Sequence, residues 1–210
     1  KPDYIVLGVE VNYLALYNPK EFRAFLATFQ EARKQIKKLS PETLISVSFQ
    51  YELLAGYDSS RGSSETMEVL DAFGRSLDIV GMSIYPHLAG LLPNELGAHY
   101  FNKLKAINQP IGIFETAWPA GDKKGESRQS DYLQMLLPKA NELGVKLVVW
   151  TSSVDTSQPP PQKEKLGNGI PLWAYELGLW TLHGHPKAAT PTWINWFLDR
   201  SPQQRKIPDR

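Results

Sequence analysis

Short apolar runs alternate along the chain with longer segments in which apolar residues recur every three or four positions. Five such runs lie at residues 4–11, 44–49, 78–85, 110–118 and 145–150. An apolar run of this length, bounded by turn residues, is typical of a buried parallel strand. The pattern therefore predicts five buried strands that are separated by helices.

The clearest helix signal follows the first strand. Asn18 precedes Pro19 and Glu21, which predicts a helix with Asn18 as its N-cap, Pro19 at its first position and Glu21 closing a capping box. Further segments with helical spacing are predicted at 65–77, 95–107, 128–143 and 192–198. Gly144 is expected to end the fourth helix in a left-handed conformation.

The alternation of strands and helices predicts an α/β fold with a parallel sheet and right-handed crossovers. We expect one domain over residues 1–210, with a frayed polar tail at 201–210. An open nucleotide-binding sheet would need a glycine-rich phosphate loop, and neither G-x-G-x-x-G nor G-x-x-x-x-G-K-[ST] occurs. Part of a (β/α)8 TIM barrel is favoured instead, because polar and aromatic residues cluster where several predicted strands end. These residues are Glu10, Tyr51, Glu52, Tyr85, His87, Glu115 and Trp150.

Composition excludes several classes of function. The formal net charge is +1, so charge does not favour nucleic acid as a partner. The chain contains no cysteine, which excludes disulfides and thiolate metal sites. No apolar run reaches the roughly 18 residues of a membrane span. None of the four histidines belongs to an H-x-H pair at a strand end, and we expect neither a metal nor another cofactor.

Two glutamates are candidates for catalytic groups. Glu10 and Glu115 each end a predicted buried strand, where a lone carboxylate is costly unless it has a role. In a barrel both would lie over the same mouth. A pair of carboxylates about 5–5.5 Å apart is what retaining glycoside hydrolysis requires. The alternative is that either acid pairs with a basic side chain and serves only structure.

Several segments carry a resemblance to a known group of enzymes. They are LGVEVN at 7–12, DIVGMSIYP at 78–86, PIGIFETAW at 110–118, LVVW at 147–150 and the closing stretch 178–189. Together they resemble the clan of retaining glycoside hydrolases with a (β/α)8 barrel, whose acid/base follows strand four and whose nucleophile follows strand seven. The arabinogalactan endo-β-1,4-galactanase type is the most similar subfamily in pattern.

The resemblance implies a role for each matching residue. Glu10 would be the acid/base and Glu115 the nucleophile, Tyr85 would hydrogen-bond the nucleophile, and Trp150 would form the floor under the sugar. The other residues expected to bind the substrate are Asn12, His87 and Trp118. Structural alternatives stay open, because Tyr85 could cap a strand, Trp150 could belong to the core and His87 could shape a loop.

The sequence departs from the clan at two points. Val9 stands where the clan usually has an asparagine that holds the sugar 2-hydroxyl, and Asn12 is the nearest substitute. The chain also matches only the part from strand four to strand eight, so we expect an incomplete barrel and, as a partner, a missing N-terminal half-barrel.

The predicted function is hydrolysis of β-glycosidic bonds in a poly- or oligosaccharide with retention. The alternative is a carbohydrate-binding barrel relative with weak or lost catalysis, which Val9 favours. The suspected substrate class favours a secreted or periplasmic protein.

Overall fold

The computed structural model describes residues 1–57, 66–97, 99–121, 123–156 and 172–204. Within these residues the chain forms two compact units. The first unit comprises Lys1–Leu91, Leu96–Thr116 and Glu142–Val149. The second comprises Leu92–Glu95, Ala117–Asn141 and Trp150–Arg210.

Six strands and five α-helices are present in the described residues. The strands are β1 (Tyr4–Val6), β2 (Leu44–Ser46), β3 (Ser48–Gln50), β4 (Val80–Ile84), β5 (Ile111–Thr116) and β6 (Val148–Trp150). The α-helices are α1 (Val11–Tyr17), α2 (Pro19–Leu39), α3 (Tyr51–Leu54), α4 (Lys123–Glu142) and α5 (Thr190–Gln204). Short 3-10 helices lie at Met67–Val69, Asp71–Phe73, Pro86–Ala89, Pro93–Glu95, Asn102–Ala106 and Leu172–Tyr175.

The six strands form two sheets. β1 pairs with β2, and a second sheet has the order β3-β4-β5-β6. The pairs β1–β2, β3–β4 and β4–β5 are all parallel. β2 and β3 follow each other directly, with only Val47 between them, so one stretch of chain supplies a strand to each sheet. Backbone hydrogen bonds continue the first ladder, from Leu7 N–H to Ser46 O at 2.9 Å and from Ser48 N–H to Gly8 O at 2.8 Å. The predicted α/β fold with five strand-forming stretches is confirmed.

The start of the chain differs from the prediction. The strand predicted over 4–11 ends at Val6, and α1 begins at Val11. Glu10 adopts φ 50° and ψ 44°, the left-handed conformation. In a strand over residues 4–11 the side chains of Glu10 and Asn12 would be expected to point to the same side, but Asn12 lies in α1, so this expectation is wrong. An apolar run without alternation does not distinguish a strand from a buried helix.

Two predicted α-helices are wrong in type. Residues 66–77 contain two 3-10 helices rather than one α-helix, and the 95–107 segment forms 3-10 turns at its two ends. The last helical turn at 71–73 buries Phe73, and the turn at 102–106 buries Leu104. An α-helix in a protein is stabilised mainly by burying a whole apolar face, and one buried side chain per turn does not provide that.

The other helices follow the prediction more closely. Asn18 caps α2 by accepting the Glu21 N–H at 3.2 Å, but the Asn18 N–H donates to Leu14 O, so the capping box is formed on one side only. Gly144 has φ 64° after α4 and confirms the left-handed stop. α5 extends to Gln204. Residues 205–210 lie outside the described residues, and the frayed tail at 201–210 stays a prediction.

An aromatic cluster fixes α2 against the sheet in the first unit. Phe73 makes edge contacts with Phe22, Phe25 and Phe29 of α2 and with Phe49 of β3, at ring-centroid distances of 5.2–6.4 Å. Edge-to-face rings at such distances stabilise a core beyond the area that they bury. The periodic phenylalanines of α2 thus hold the helix on the strands that carry the polar residues described below.

Phe114 in β5 lies over two glycines of neighbouring strands. Gly81 of β4 pairs in register with Gly112 of β5. A Cβ on Gly81 would lie 2.6 Å from Phe114 Cε2 and 2.9 Å from Val47 O, and one on Gly112 would lie 3.0 Å from Phe114 Cδ1. The two glycines therefore leave the space that the Phe114 ring occupies, next to Glu115.

We predict that Gly81→Ala destabilises the protein by about 1–3 kcal/mol, because the new methyl group overpacks the Phe114 ring. Urea denaturation of the wild type, Gly81→Ala, Phe114→Leu and the double variant measures this. The double variant should lose less than the sum of the single losses, since leucine vacates part of the ring volume. If the losses of stability in the two single variants added up to the loss in the double variant, the methyl group added at position 81 would not be packing against Phe114.

Candidate active site

Glu10 lies in a strained position between β1 and α1. Left-handed backbone costs roughly 1–2 kcal/mol for a residue other than glycine, and such strain persists only where surrounding contacts hold it. Here the Glu10 N–H donates to Ser48 Oγ at 3.0 Å, and the Glu10 side chain hydrogen-bonds Ser83. The side chains of β3 and β4 thus hold the half-buried carboxyl of Glu10 at the carboxyl end of the sheet.

Glu115 lies on β5 just beyond an irregularity in the ladder. Met82 pairs with Ile113 and Ser83 with Glu115, so Phe114 has no partner residue on β4. A bulge of this kind changes the direction of the side chain that follows it. The Tyr85 hydroxyl donates to Glu115 Oε2 at 3.2 Å, which holds one oxygen of the carboxylate in place.

Ser83 connects the two acids. It is opposite Glu115 in the β4–β5 ladder, and its hydroxyl hydrogen-bonds the Glu10 side chain. The Oγ atoms of Ser83 and Ser48 lie 3.4 Å apart, and both serines are fully buried. Sequence reasoning did not assign either serine to the site. The available signal was serine within two mainly apolar strand-forming stretches, at 83 in one and at both 46 and 48 in the other.

The pKa of Glu10 shows that the two acids interact. Burial raises this pKa most, the charge of Glu115 raises it further, and the hydrogen bond from Ser83 lowers it, so that it lies at about 7. Glu10 is therefore present in both protonation states near neutral pH. A group that gives and takes a proton in one catalytic cycle needs a pKa close to the working pH.

Two more predicted site residues lie in the same unit, in different surroundings. His87 follows Tyr85 on a 3-10 turn, and the two rings contact edge to face at a centroid distance of 5.9 Å. Burial lowers the pKa of His87 to about 4, so its imidazole is neutral at pH 7. Asn12 is 1% exposed, and its amide both donates to Gln50 O and accepts the Gln50 N–H at 2.9 Å. The substrate-binding roles of both residues stay predictions.

Glu52 is a third carboxylate in this unit and is 1% exposed. Its Oε1 accepts the Tyr85 N–H at 2.9 Å and the Tyr100 hydroxyl, and its Oε2 accepts from Gln50 Nε2 at 2.5 Å. Burial raises the pKa of Glu52 to about 7, and the hydrogen bonds from Tyr100, Tyr85 and Gln50 oppose that rise. The sequence placed Glu52 at a strand end but assigned it no role.

The predicted tryptophans belong to the second unit. Trp118 and Trp150 are 4% and 7% exposed, and each packs on Tyr132, with centroid distances of 5.4 and 6.1 Å. The Trp150 indole donates to Leu177 O at 2.9 Å, and Gln129 donates to Trp118 O at 2.9 Å. Both rings therefore contribute to the core of this unit, and their contact with a sugar stays a prediction.

In the described part of the chain, no group of three or more His, Asp or Glu side chains is arranged to hold a metal ion. None of the described helices combines the length and the apolar character that a membrane span needs.

Solved structures of glycosidases share this fold. An exo-β-1,4-mannosidase from Opitutaceae bacterium strain TAV5 superposes with a TM-score of 0.62 and 16% identity over 92% of this chain and 34% of its own. A β-glucuronidase from an uncultured Clostridium sp. gives a TM-score of 0.50 and 17% identity over 80% of this chain and 28% of its own. No protein-family model matches the sequence, and no curated protein matches it either.

The chain therefore spans about a third of the length of the glycosidases that it resembles. It has the α/β architecture of part of a TIM barrel, as the strand pattern predicted. At this identity the likeness concerns the fold, so the chemistry has to be argued from the residues themselves.

We predict opposite shifts in the pKa of Glu10 in two variants. Glu115→Gln should lower it from about 7 towards the ordinary range of a carboxyl group, because a neighbouring negative charge is removed. Ser83→Ala should raise it, because the ionised form loses a hydrogen bond. NMR titration of protein with carbon-13-labelled glutamate carboxyls measures both shifts.

Glu52 provides the internal reference for this titration, since its pKa is set by its own burial and by donors other than Ser83. If Glu115→Gln left the Glu10 titration unchanged, the two carboxylates would not be electrostatically coupled. A downward shift in Ser83→Ala would contradict the donor role of that hydroxyl.

Proposed function

We propose that the protein of which this chain is part is a glycoside hydrolase that cleaves β-glycosidic bonds of an oligo- or polysaccharide with retention of configuration. The observation that carries the proposal is the coupled pair of acids. Glu10 has a pKa of about 7 that is raised in part by Glu115, while Tyr85 donates to Glu115. The shared fold with a mannosidase and a glucuronidase is consistent with this chemistry.

In the first step, a carboxylate oxygen of Glu115 attacks the anomeric carbon. The bond from that carbon to the leaving oxygen breaks, and Glu10 donates its proton to this oxygen. Glu115 thereby becomes an ester and loses its charge. Because that charge helps to raise the pKa of Glu10, the pKa of Glu10 then falls.

In the second step, the ionised Glu10 removes a proton from water. The water oxygen attacks the anomeric carbon, and Glu115 leaves as a carboxylate, which restores its charge and the high pKa of Glu10. The electrostatic coupling between the two acids thus suits Glu10 to act as an acid in one step and as a base in the next.

The remaining site residues take supporting roles in this proposal. Tyr85 holds one oxygen of the nucleophile, and His87, whose ring contacts that of Tyr85, stays a proposed substrate contact. Asn12, Trp118 and Trp150 stay proposed substrate contacts, with Trp150 as the floor of the subsite. The endo-β-1,4-galactanase type is the proposed subfamily on sequence pattern alone, and a secreted or periplasmic location follows from the substrate class.

A missing half-barrel is the proposed macromolecular partner. In the described residues β1 pairs on one side only, with β2. Val6 on β1 and Val9 just beyond it are 41% and 60% exposed. An unpaired strand edge beside exposed apolar side chains suits the addition of further parallel strands.

A second candidate function is carbohydrate binding without turnover. Val9 carries no hydrogen-bonding group where the resemblance expects an asparagine, and it is 60% exposed. In retaining glycosidases, hydrogen bonds to the sugar 2-hydroxyl strengthen in the transition state and supply several kcal/mol. Loss of this contact would weaken catalysis more than binding.

We predict that the full-length protein releases nitrophenol from at least one member of a panel of 4-nitrophenyl β-D-glycosides. Glu115→Gln should reduce kcat/KM by a factor of about 10³ or more, because the nucleophile is lost. Binding of sugars without any release, equal in the wild type and Glu115→Gln, would support the second candidate and exclude hydrolysis.

We also predict the direction of the pH dependence. Since Glu10 donates a proton in the first step, kcat/KM should fall as pH rises through about 7. Glu10→Gln should remove this descending limb, and it should slow glycosides whose leaving group needs protonation far more than 4-nitrophenyl glycosides, whose leaving group does not. A limb that persists in Glu10→Gln would assign it to another group.

A further inference from the structure

Glu52 is a buried carboxylate for which the proposed reaction has no use. It is 1% exposed, and among the described residues no lysine, arginine or histidine forms an ion pair with it. Three donors contact its two oxygens instead: the Tyr85 N–H, the Tyr100 hydroxyl and Gln50 Nε2. An ionised carboxyl group is costly to bury without a cationic partner, and burial accordingly raises the pKa of Glu52 to about 7, so the presence of this acid requires an explanation.

The surroundings of Glu52 fit a carboxylate and do not fit an amide. Gln50 Oε1 accepts the Leu53 N–H at 2.5 Å, which turns Gln50 Nε2 towards Glu52. Every polar contact of the two Glu52 oxygens is therefore with a donor. A glutamine at position 52 would place its own NH2 group against one of these donors.

The hydrogen bond to Tyr85 leads from Glu52 to the candidate nucleophile. Tyr85 follows β4, and its N–H is held by Glu52 Oε1 at 2.9 Å. Its hydroxyl, at the other end of the side chain, donates to Glu115 Oε2 at 3.2 Å. One residue thus joins a buried carboxylate to a reactive one through its backbone and its side chain.

We propose that Glu52 is a positioning residue, which fixes the backbone of Tyr85 so that the Tyr85 hydroxyl holds Glu115 in the orientation for attack. The catalytic meaning of this role rests on the proposed glycosidase function. The anchoring of the Tyr85 backbone does not rest on that function, because it is a hydrogen bond between the Tyr85 N–H and Glu52. A displacement of about 1 Å at a reacting group reduces rates by a factor of about 10², so a loosened Tyr85 affects kcat.

The test compares Glu52→Gln with the exchanged pair Gln50→Glu/Glu52→Gln in the full-length protein. In the exchanged pair the new carboxylate accepts the Leu53 N–H and the new amide NH2. The new amide oxygen then accepts the Tyr85 N–H and the Tyr100 hydroxyl. All donors are satisfied again, with the charge moved by two residues.

We expect Glu52→Gln to increase hydrogen exchange at the Tyr85 amide at least tenfold and to reduce kcat on the aryl glycosides about 10–100-fold. KM should change less than about threefold, because the sugar contacts stay in place. The exchanged pair should restore both the exchange rate and kcat to within about threefold of the wild type.

Tyr100→Phe is the matched control for stability. It removes another hydrogen bond to the same Glu52 oxygen but leaves the Tyr85 N–H bond. It should lower the melting temperature, yet keep both the Tyr85 exchange rate and kcat near those of the wild type. If Glu52→Gln does not fold, Glu52→Asp provides the same comparison, since it keeps the charge and shortens the reach.

The inference is overturned if Glu52→Gln leaves Tyr85 exchange unchanged, if the exchanged pair gives no rescue, or if Tyr100→Phe reduces kcat equally. Amide exchange needs no substrate, so anchoring of Tyr85 is judged even in a protein that hydrolyses no glycoside. Hydrolysis by the wild type together with full kcat in Glu52→Gln would contradict the positioning role alone.

Discussion

The candidate site depends on the burial of one carboxyl group near another: Glu10 lies between β1 and α1, and Glu115 lies near the end of β5. Burial alone raises the pKa of Glu10, and the charge of Glu115 adds to the effect. The hydrogen bond from the Ser83 hydroxyl to Glu10 lowers this pKa. Ser83 is also the residue that pairs with Glu115 in the β4–β5 ladder. The arrangement therefore tunes the acidity of one group by the charge state of another, without a metal or a basic side chain in the pair.

The rest of the first unit holds these groups in place. The aromatic contacts of Phe73 pack α2 against the strands. The paired glycines at 81 and 112 leave room for the Phe114 ring. Phe114 is also the unpaired residue of the bulge that precedes Glu115. Packed cores transmit small changes in volume. The packing of the Phe114 ring therefore affects the direction of the Glu115 side chain, which follows it on β5.

Much of this fold could be predicted from the sequence because its signals are local and periodic. The five apolar runs, the capped helix after Asn18 and the stop at Gly144 all depend on neighbouring residues, and each is present. The 3-10 turns were not predictable in the same way, because propensity gives no measure of how much apolar surface a segment buries.

The site was predictable only in part. Tyr85 was expected to hydrogen-bond Glu115, and this contact is present in the structure. The left-handed Glu10, the bulge at Phe114 and the two buried serines depend on contacts between residues that are far apart in sequence. The residue types at the predicted strand ends indicated which groups could react. Their orientation could not be predicted, because it depends on how the strands pair in the ladder.

The backbone of Glu10 has a consequence for the evolution of the protein. Positive φ favours glycine, and it also favours asparagine and aspartate over most other residues. A glycine at position 10 would therefore relax the local conformation and delete the acid, so that under the proposed function stability and turnover would oppose each other at this position. The left-handed backbone of Glu10 is thus a cost to stability that only a role for its carboxyl group, such as the proposed acid/base role, would offset.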